Sequence, residues 1–248
     1  MGEIQQNIIE VEQRIATAAK KSGRKREEIL LLAVSKTIDV SRIKQAVNCG
    51  LKELGENKVQ EILEKYDAMG EDVCWHLIGH LQTNKVKYII NKVKMIHSVD
   101  SIKLAEEINK RAKQSNIIMD ILVEVNIADE QSKFGISPKE TLSFIKSIAF
   151  LDNIRIKGLM TVAPFVDNPE ENRDCFRRMK QLLVDINAEK IDNVNMDVLS
   201  MGMSNDFEVA IEEGATIVRV GTNIFGKRVY PQQWLMVIER REDRHKVK

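Results

Sequence analysis

Short apolar runs alternate with amphipathic stretches along the chain, and this alternation predicts its secondary structure. The first amphipathic stretch carries Ile4, Ile8, Val11 and Ile15 at helical spacing, which predicts a helix that ends near Ser22. Eight runs, of which the second is short and polar, predict strands at residues 30–36, 53–57, 74–80, 95–100, 119–126, 154–161, 196–200 and 216–221. Helical patterns separate these strands near residues 41–49, 59–66, 84–91, 101–108, from 137 onward, 169–186 and 204–213.

The order of these elements predicts the fold class. Strands that alternate with helices form right-handed βαβ units and a parallel sheet. Eight such units in 248 residues favour a closed barrel over an open, doubly wound sheet, because this length matches one (β/α)8 barrel. We therefore predict an α/β fold in which residues 1–248 form a single domain, a (β/α)8 TIM-type barrel with an extra N-terminal helix. The charged tail, residues 240–248, is expected to be loose.

Composition narrows the classes of function. The 38 basic and 37 acidic residues give a net charge of +1, which offers no electrostatic footprint for nucleic acid or an anionic membrane. No apolar stretch reaches transmembrane length, and the N-terminus lacks the regions of a signal peptide. Cys49, Cys74 and Cys175 have neither disulfide nor metal-ligand spacing. We expect a cytoplasmic protein without a metal site.

Polar residues stand where the predicted strands end, and this is the end of a barrel at which function resides. They are Lys36, Asn57, His80, Asp100, Asn126, Thr161, Ser200 and Gly221. Taken singly, a strand-end Asn, Asp or Ser is more often a helix cap, and a lone lysine is more often a solvated strand terminus. The convergence of several such residues indicates a site.

The segments after the last two strands predict a phosphate site. Loops in this position commonly hold phosphate in barrels, through backbone N–H groups and hydroxyls. Gly202 and Gly221 would let the backbone approach a ligand closely; alternatively, they only make turns and Ser204 only caps its helix. Arg219 interrupts the last apolar run, so its buried guanidinium needs an acceptor, either an internal carboxylate or a ligand.

A lysine at one strand end that faces a phosphate cradle suggests a phosphorylated aldehyde or ketone held as a Schiff base. Pyridoxal 5'-phosphate (PLP) meets these demands, and so does a sugar phosphate in an aldolase. The residues alone leave both alternatives open. The ordinary nucleotide motifs, GxGxxG and GxxxxGK[ST], are absent from the sequence.

Six motifs resemble those of the pyridoxal phosphate homeostasis protein family, which is similar to the barrel domain of alanine racemase and of the eukaryotic-type ornithine decarboxylases. They are AVSKT at 33–37, GENKVQE at 55–61, HLIGHLQTNK at 76–85, GLMT at 158–161, LSMGMSNDF at 199–207 and RVGTNIFGKR at 219–228. The motifs run in order from the first strand to the eighth, so the resemblance covers nearly the whole chain. Asn223 departs from the small residue expected there.

The resemblance implies a role for each of nine residues. Lys36 would carry PLP as a Schiff base, and Arg219 would face the pyridine nitrogen, which leaves that nitrogen unprotonated and weakens the cofactor as an electron sink. The phosphate would be held by Ser200, Gly221 and Thr222, with backbone near Met201 and Ser204. Asn57 and His80 would line the pocket.

The resemblance also implies what the protein does. Alanine racemase has a second domain that supplies a catalytic tyrosine and helps to form a dimer, whereas here Tyr66 and Tyr88 lie on predicted helices and Tyr230 precedes Pro231. We expect a monomeric PLP-binding protein of vitamin B6 homeostasis that buffers PLP or delivers it to apo forms of PLP-dependent enzymes, without robust catalysis. The alternative is a PLP-dependent amino-acid racemase with Lys36 as its only base, and a third hypothesis is the Schiff-base aldolase.

Overall fold

Eight parallel strands close into a barrel in this computed structural model, which describes residues 2–130 and 134–226. The strands are β1 (Leu30–Val34), β2 (Glu53–Glu56), β3 (Cys74–Leu77), β4 (Met95–Val99), β5 (Met119–Glu124), β6 (Ile154–Met160), β7 (Val194–Met203) and β8 (Ile217–Val220). Each strand pairs with the next along the chain, and β8 pairs with β1 to close the ring. The predicted (β/α)8 TIM-type barrel is therefore confirmed.

Helices cover the outside of the barrel and join its strands. They are α1 (Glu3–Lys21), α2 (Val40–Asn48), α3 (Val59–Met69), α4 (Val86–Ile89), α5 (Ile102–Gln114), α6 (Pro138–Ile148), α7 (Arg173–Ala188), α8 (Phe207–Glu212) and α9 (Thr222–Phe225), with short 3-10 turns at Arg26–Glu28, Gly70–Asp72, Thr83–Lys85 and Pro169–Asn172. The extra N-terminal helix is confirmed as α1, whose buried face carries the predicted Ile4, Ile8, Val11 and Ile15. The tail at 240–248 and Tyr230 lie outside the described residues.

Strand β7 differs most from its prediction. It continues through Gly202 to Met203, where a loop was expected, and its pairing register with β8 shifts between Ser200 and Met203. Gly202 has a φ of 86°, and a Cβ atom there would lie 2.5 Å from the Cβ of Ala210 in α8. Gly202 therefore lets helix α8 pack against a bulged strand. The expectation that it lets the backbone approach a ligand stays a prediction.

The barrel interior determines which residues reach its mouth. An apolar cluster of Leu32, Met95, Leu122, Met160 and Ile217 fills the middle of the barrel. Side chains alternate between the two faces of a strand, so the residues two positions further along β5 and β8 also face inward, nearer the mouth. These two residues are Glu124 and Arg219.

None of the helices in the described part of the chain has the length and apolar character needed to cross a bilayer.

The core between strands and helices is formed by the outward-facing strand residues and the buried helix faces. The amphipathic pattern that predicted the helices thus gives each of them a single buried side against the barrel.

Candidate functional site

Lys36 lies in the turn that follows β1, and the backbone is held on both sides of it. The Ser35 hydroxyl donates a hydrogen bond to Glu56 Oε1 at 2.7 Å, on the helix side of the barrel wall. The Thr37 N–H donates to Glu61 Oε2 at 2.6 Å, and Thr37 has a φ of 64°, which is unusual for a β-branched residue. Lys36 therefore follows the carboxyl end of β1, at the mouth of the barrel.

A buried lysine ties these two anchors together. Lys65 Nζ donates to the Ser35 carbonyl at 2.9 Å, to Glu56 Oε1 at 2.8 Å and to Glu61 Oε2 at 3.1 Å. Burial raises the pKa of Glu56 to about 7, although the charge of Lys65 opposes that rise. Ser35, Glu56, Glu61 and Lys65 form what we call the Lys65 cluster, which fixes the path of the backbone through Lys36.

Arg219 is buried on the inner face of β8, and neither acceptor expected from the sequence accounts for its hydrogen bonds. Nη1 donates to the carbonyl and the hydroxyl of Ser200, at 2.8 and 2.7 Å, and Nη2 donates to the Thr161 carbonyl at 2.7 Å. Burial lowers the pKa of Arg219 to about 10, while the charges of Glu124 and Asp206 oppose the shift. Arg219 therefore remains a cation at neutral pH.

The loops after β7 and β8 meet directly. The Gly221 N–H donates to Ser204 Oγ at 3.2 Å, and Asn223 Nδ2 donates to the Ser204 carbonyl at 2.9 Å. Ser204 does not cap α8, because that helix begins at Phe207. Thr222 is exposed at the start of α9. Gly221 packs closely on β1: a Cβ atom there would lie 3.2 Å from the Val34 carbonyl oxygen.

Ser200 and Met201 lie deeper than these loops. The Ser200 hydroxyl is fully buried and makes hydrogen bonds with Arg219 and with His97. The Met201 side chain belongs to the core between strands and helices, so only its backbone faces toward the neighbouring strands. The structure thus ties the Ser200 hydroxyl to the Arg219 guanidinium and to His97.

Asn57 and His80 follow β2 and β3, which lie on the other side of β1 from β8. The loops after β2 and β3 pack tightly, since a Cβ atom at Gly79 would lie 2.4 Å from the Asn57 carbonyl oxygen. His80 Nδ1 lies 3.4 Å from Asp100 Oδ2, and its ring stacks on Phe134 with the centroids 4.1 Å apart. Burial raises the pKa of Asp100, and His80 opposes that rise.

Two residues that the sequence placed at strand ends, Asn126 and Thr161, use their side chains to bind backbone groups of loops. Asn126 Nδ2 donates to the Glu130 carbonyl at 2.8 Å, and the Thr161 hydroxyl donates to the Val125 carbonyl at 2.7 Å. Both side chains therefore satisfy backbone groups at the top of the barrel. Thr161 still contributes its own carbonyl to Arg219.

Sequence reasoning missed Glu124, the last residue of β5. It is buried, and its Oε2 accepts no hydrogen bond from the described residues. Burial raises the pKa of Glu124 to about 7; the charge of Asp100 raises it further and that of Arg219 lowers it. The available signal was an acidic residue inside an apolar run, two positions before the Asn126 that was chosen as the strand end.

The mouth therefore combines an amine, a buried cation and a junction of two loops that suits an anion. Lys36 follows β1, and Arg219 and Gly221 belong to the adjacent β8 and its end. The unpaired Glu124 oxygen is a buried polar atom that a bound molecule could satisfy. This donor set fits a small phosphorylated carbonyl compound. Among the described residues no group of three or more side chains is arranged to hold a metal ion.

Comparisons with known proteins give relatives over nearly the whole chain. Residues 7–229 match the family model described as alanine racemase, N-terminal domain. The chain is 47% identical over 226 residues to the pyridoxal phosphate homeostasis protein of Aquifex aeolicus (strain VF5), which covers 91% of this chain and 98% of that protein. It is 36% identical over 238 residues to the protein of the same name from Escherichia coli (strain K12), covering 94% and 100%.

Solved structures show the same architecture. PipY of Synechococcus elongatus PCC7942, solved with PLP bound, has a TM-score of 0.75 and 31% identity, and the match covers 86% of this chain and 100% of that one. The structure of PipY without PLP gives a TM-score of 0.80 at 29% identity, covering 90% and 100%.

Proposed function

The chain belongs to the pyridoxal phosphate homeostasis protein family, built on the alanine racemase N-terminal domain, and from this premise we propose that it binds PLP at the mouth of its barrel. The family membership expected from the six motifs is confirmed by the match over residues 7–229 and by relatives of the same length. The observation that carries the proposal is the position of Lys36, which follows β1 beside the strand that holds Arg219 and leads to Gly221. PipY, a relative, was solved with PLP bound.

Lys36 is the proposed point of attachment. Its amine would attack the aldehyde carbon and release water, so that the ligand is held by a reversible Schiff base. The chain contributes a fixed backbone at this point, because the Lys65 cluster holds both Ser35 and Thr37. A fixed attachment point reduces the conformational entropy that is lost when the ligand binds.

The remaining site residues divide into three proposed roles. Ser204, Gly221 and Thr222, with backbone near Met201, would hold the phosphate, because loops after strands seven and eight commonly do so in this fold. Arg219 would face the pyridine nitrogen, and Ser200 would act through Arg219 rather than on the phosphate. Asn57 and His80 would line the pocket.

Reversible holding of PLP suits a protein that buffers the cofactor or hands it to apo enzymes. The two tyrosines in the described residues lie outside the barrel: Tyr66 on α3 packs under Lys92, and Tyr88 on α4 is half exposed. We therefore propose that the chain's main role is to hold and release PLP within the cell, without sustained turnover. One observation favours the alternative, an amino-acid racemase: Glu124 is a buried carboxyl with a pKa of about 7, suited to proton transfer.

The test begins with the purified chain loaded with PLP. Borohydride reduction followed by peptide mapping should place a pyridoxyl group on Lys36, and Lys36→Ala should abolish both the label and the yellow colour. Lys58→Ala, an exposed lysine in the loop after β2, is the matched control and should keep both. A wild-type chain that stays colourless with added PLP would overturn the proposal.

The same protein distinguishes the two functions. Enantiopure alanine, serine and lysine are incubated with the loaded chain, and their enantiomeric excess is followed over time. An unchanged enantiomeric excess supports the holding and release of PLP. Sustained racemisation that disappears in Lys36→Ala and falls in Glu124→Gln would support the racemase and refute a purely holding role.

A further inference from the structure

A chain of hydrogen bonds crosses the inside of the barrel from its lower end toward Arg219. At the lower end, Lys94 Nζ lies 2.6 Å from Glu53 Oε1, and Glu53 Oε2 lies 2.7 Å from His76 Nε2. His76 Nδ1 then lies 2.9 Å from His97 Nε2. We call Glu53, His76, His97 and Ser200 the histidine relay.

The upper part of the relay ends at Arg219. His97 Nδ1 lies 3.0 Å from the Ser200 hydroxyl, which accepts a bond from Arg219 Nη1 at 2.7 Å. Glu53 is the first residue of β2, whereas Arg219 is the last but one residue of β8. Since all strands are parallel, the relay connects the lower end of the barrel with the side that carries the proposed site.

The pairing register shows that the relay residues face the interior. His76 pairs with Met95, and Ser200 pairs with Met160. Both partners belong to the apolar cluster inside the barrel, and paired residues of parallel strands point to the same face. His76, His97 and Ser200 are each at most 1% exposed, so water does not reach the middle of the relay.

With both imidazoles neutral, the Glu53 carboxylate fixes the direction of every hydrogen bond in the relay. A guanidinium can only donate, so the Ser200 oxygen accepts from Arg219, and its own O–H can donate to His97 Nδ1. His97 must then carry its proton on Nε2 and donate to His76 Nδ1. His76 in turn carries its proton on Nε2 and donates to the Glu53 carboxylate.

The opposite direction would need a proton on Glu53 or a charged imidazole. Although burial raises the pKa of Glu53, the hydrogen bonds from His76 and Lys94 hold it below its usual value. Burial also lowers the pKa of His97 well below its usual value, with the nearby His76 and Arg219 acting in the same direction. Glu53 is therefore a carboxylate and His97 is neutral; a neutral His76 then leaves one assignment of the hydrogens.

We propose that the histidine relay is a positioning device for Arg219. The Ser200 hydroxyl is a rotor, and only the acceptor at His97 Nδ1 turns its lone pairs toward the guanidinium. The relay thereby connects the buried cation through four aligned bonds to the carboxylate of Glu53. The benefit to cofactor binding rests on the proposed function, in which Arg219 faces the pyridine nitrogen. The positioning of Arg219 does not rest on it.

The first measurement uses the wild-type chain without PLP. Long-range ¹H–¹⁵N spectra of ¹⁵N-histidine protein should show both His76 and His97 as neutral Nε2–H tautomers. Arginine side-chain spectra should show separate, slowly exchanging Nη signals for Arg219. An Nδ1–H tautomer or averaging at either histidine would overturn the assignment, and this test holds even where a variant does not fold.

Two variants of His97 then test positioning itself. His97→Phe keeps the ring but removes the acceptor, so the Arg219 Nη signals should merge and PLP affinity should fall about tenfold, as for one charge-assisted hydrogen bond. His97→Asn can present an amide oxygen near the Nδ1 position and should restore both readouts. Thr141→Val, which removes a buried hydroxyl from α6, is the control and should change neither.

The outcomes separate the two proposals. Unchanged Arg219 signals in His97→Phe would show that the relay does not position Arg219. Merged Arg219 Nη signals together with unchanged PLP affinity would support the positioning role of the relay and would refute the contact between Arg219 and the cofactor. If His97→Phe loses both the separate Arg219 Nη signals and PLP affinity, and His97→Asn restores them, the result supports both proposals.

Discussion

Replacement of Glu124 by glutamine isolates the electrostatic cost of burying this carboxyl at the barrel mouth. Glu124→Gln keeps the size and shape of the side chain but removes its ionisation. Burial is the main reason why the pKa of Glu124 is raised from 4.5 to about 7. The variant should therefore change the way in which stability depends on pH.

The sign and size follow from proton linkage. Between pH 4.5 and about 7 the folded chain keeps a proton on Glu124 that the unfolded chain releases. The free energy of unfolding must then fall as the pH rises through this window. At about 1.36 kcal/mol for each unit of pKa shift, the loss from Glu124 is roughly 3 kcal/mol.

The measurement is urea unfolding of the PLP-free chain at pH 5 and pH 8, followed by far-ultraviolet circular dichroism. The difference between the two free energies should be about 3 kcal/mol smaller in Glu124→Gln than in the wild type. Any cost of burying the amide is the same at both pH values and cancels. The contribution of Glu56, whose pKa is also raised to about 7, remains in both proteins and cancels too.

Glu106→Gln, on the exposed face of α5, is the control and should leave the pH dependence as it is in the wild type. An equal fall in stability between pH 5 and pH 8 for wild type and Glu124→Gln would refute the reasoning. It would mean that Glu124 ionises without penalty, through solvent access or a donor that the structure does not place there.

Two further predictions concern the architecture that supports the site. Lys65→Met should lower the free energy of unfolding by about 3–5 kcal/mol in urea, because Glu56 and Glu61 lose the buried cation that they share; an unchanged midpoint would contradict the role of the Lys65 cluster. Gly202→Ala should lower the melting temperature more than Gly50→Ala, since both glycines have positive φ but only Gly202 has atoms within 3 Å of an added Cβ. Equal shifts would show that packing of α8 is not the constraint.

The fold could be predicted because buried parallel strands leave a direct mark on the sequence. Most of the strands are apolar runs, helical patterns separate them, and eight strands fit the length of one barrel. The ends of the strands were harder to predict from the sequence. Residues 35 and 36 continue the first run in the sequence, but the strand stops at Val34, because pairing with neighbouring strands sets its end.

Local signals also identified part of the site. Lys36 and Arg219 were recognisable because a charge stood at the end of one apolar run and inside another. His76 and His97 carried a similar signal, since both lie inside predicted strands. Their partners could not be predicted, because the bonds join residues 21 and 103 positions apart in the chain. Only the closed ring of strands makes those pairs neighbours.

The buried polar groups of this barrel differ in how completely they are satisfied, and that difference points to where a ligand would gain most. In the histidine relay every ring nitrogen has a partner, so the relay's contribution is orientation rather than affinity. Glu124 keeps an oxygen without a donor from the described residues, and burial penalises its ionisation. A bound molecule that donates a hydrogen bond to this oxygen would stabilise the carboxylate and lower its pKa. A ligand at the mouth of the barrel would therefore gain affinity by donating a hydrogen bond to Glu124, beside the cation that the relay keeps in place.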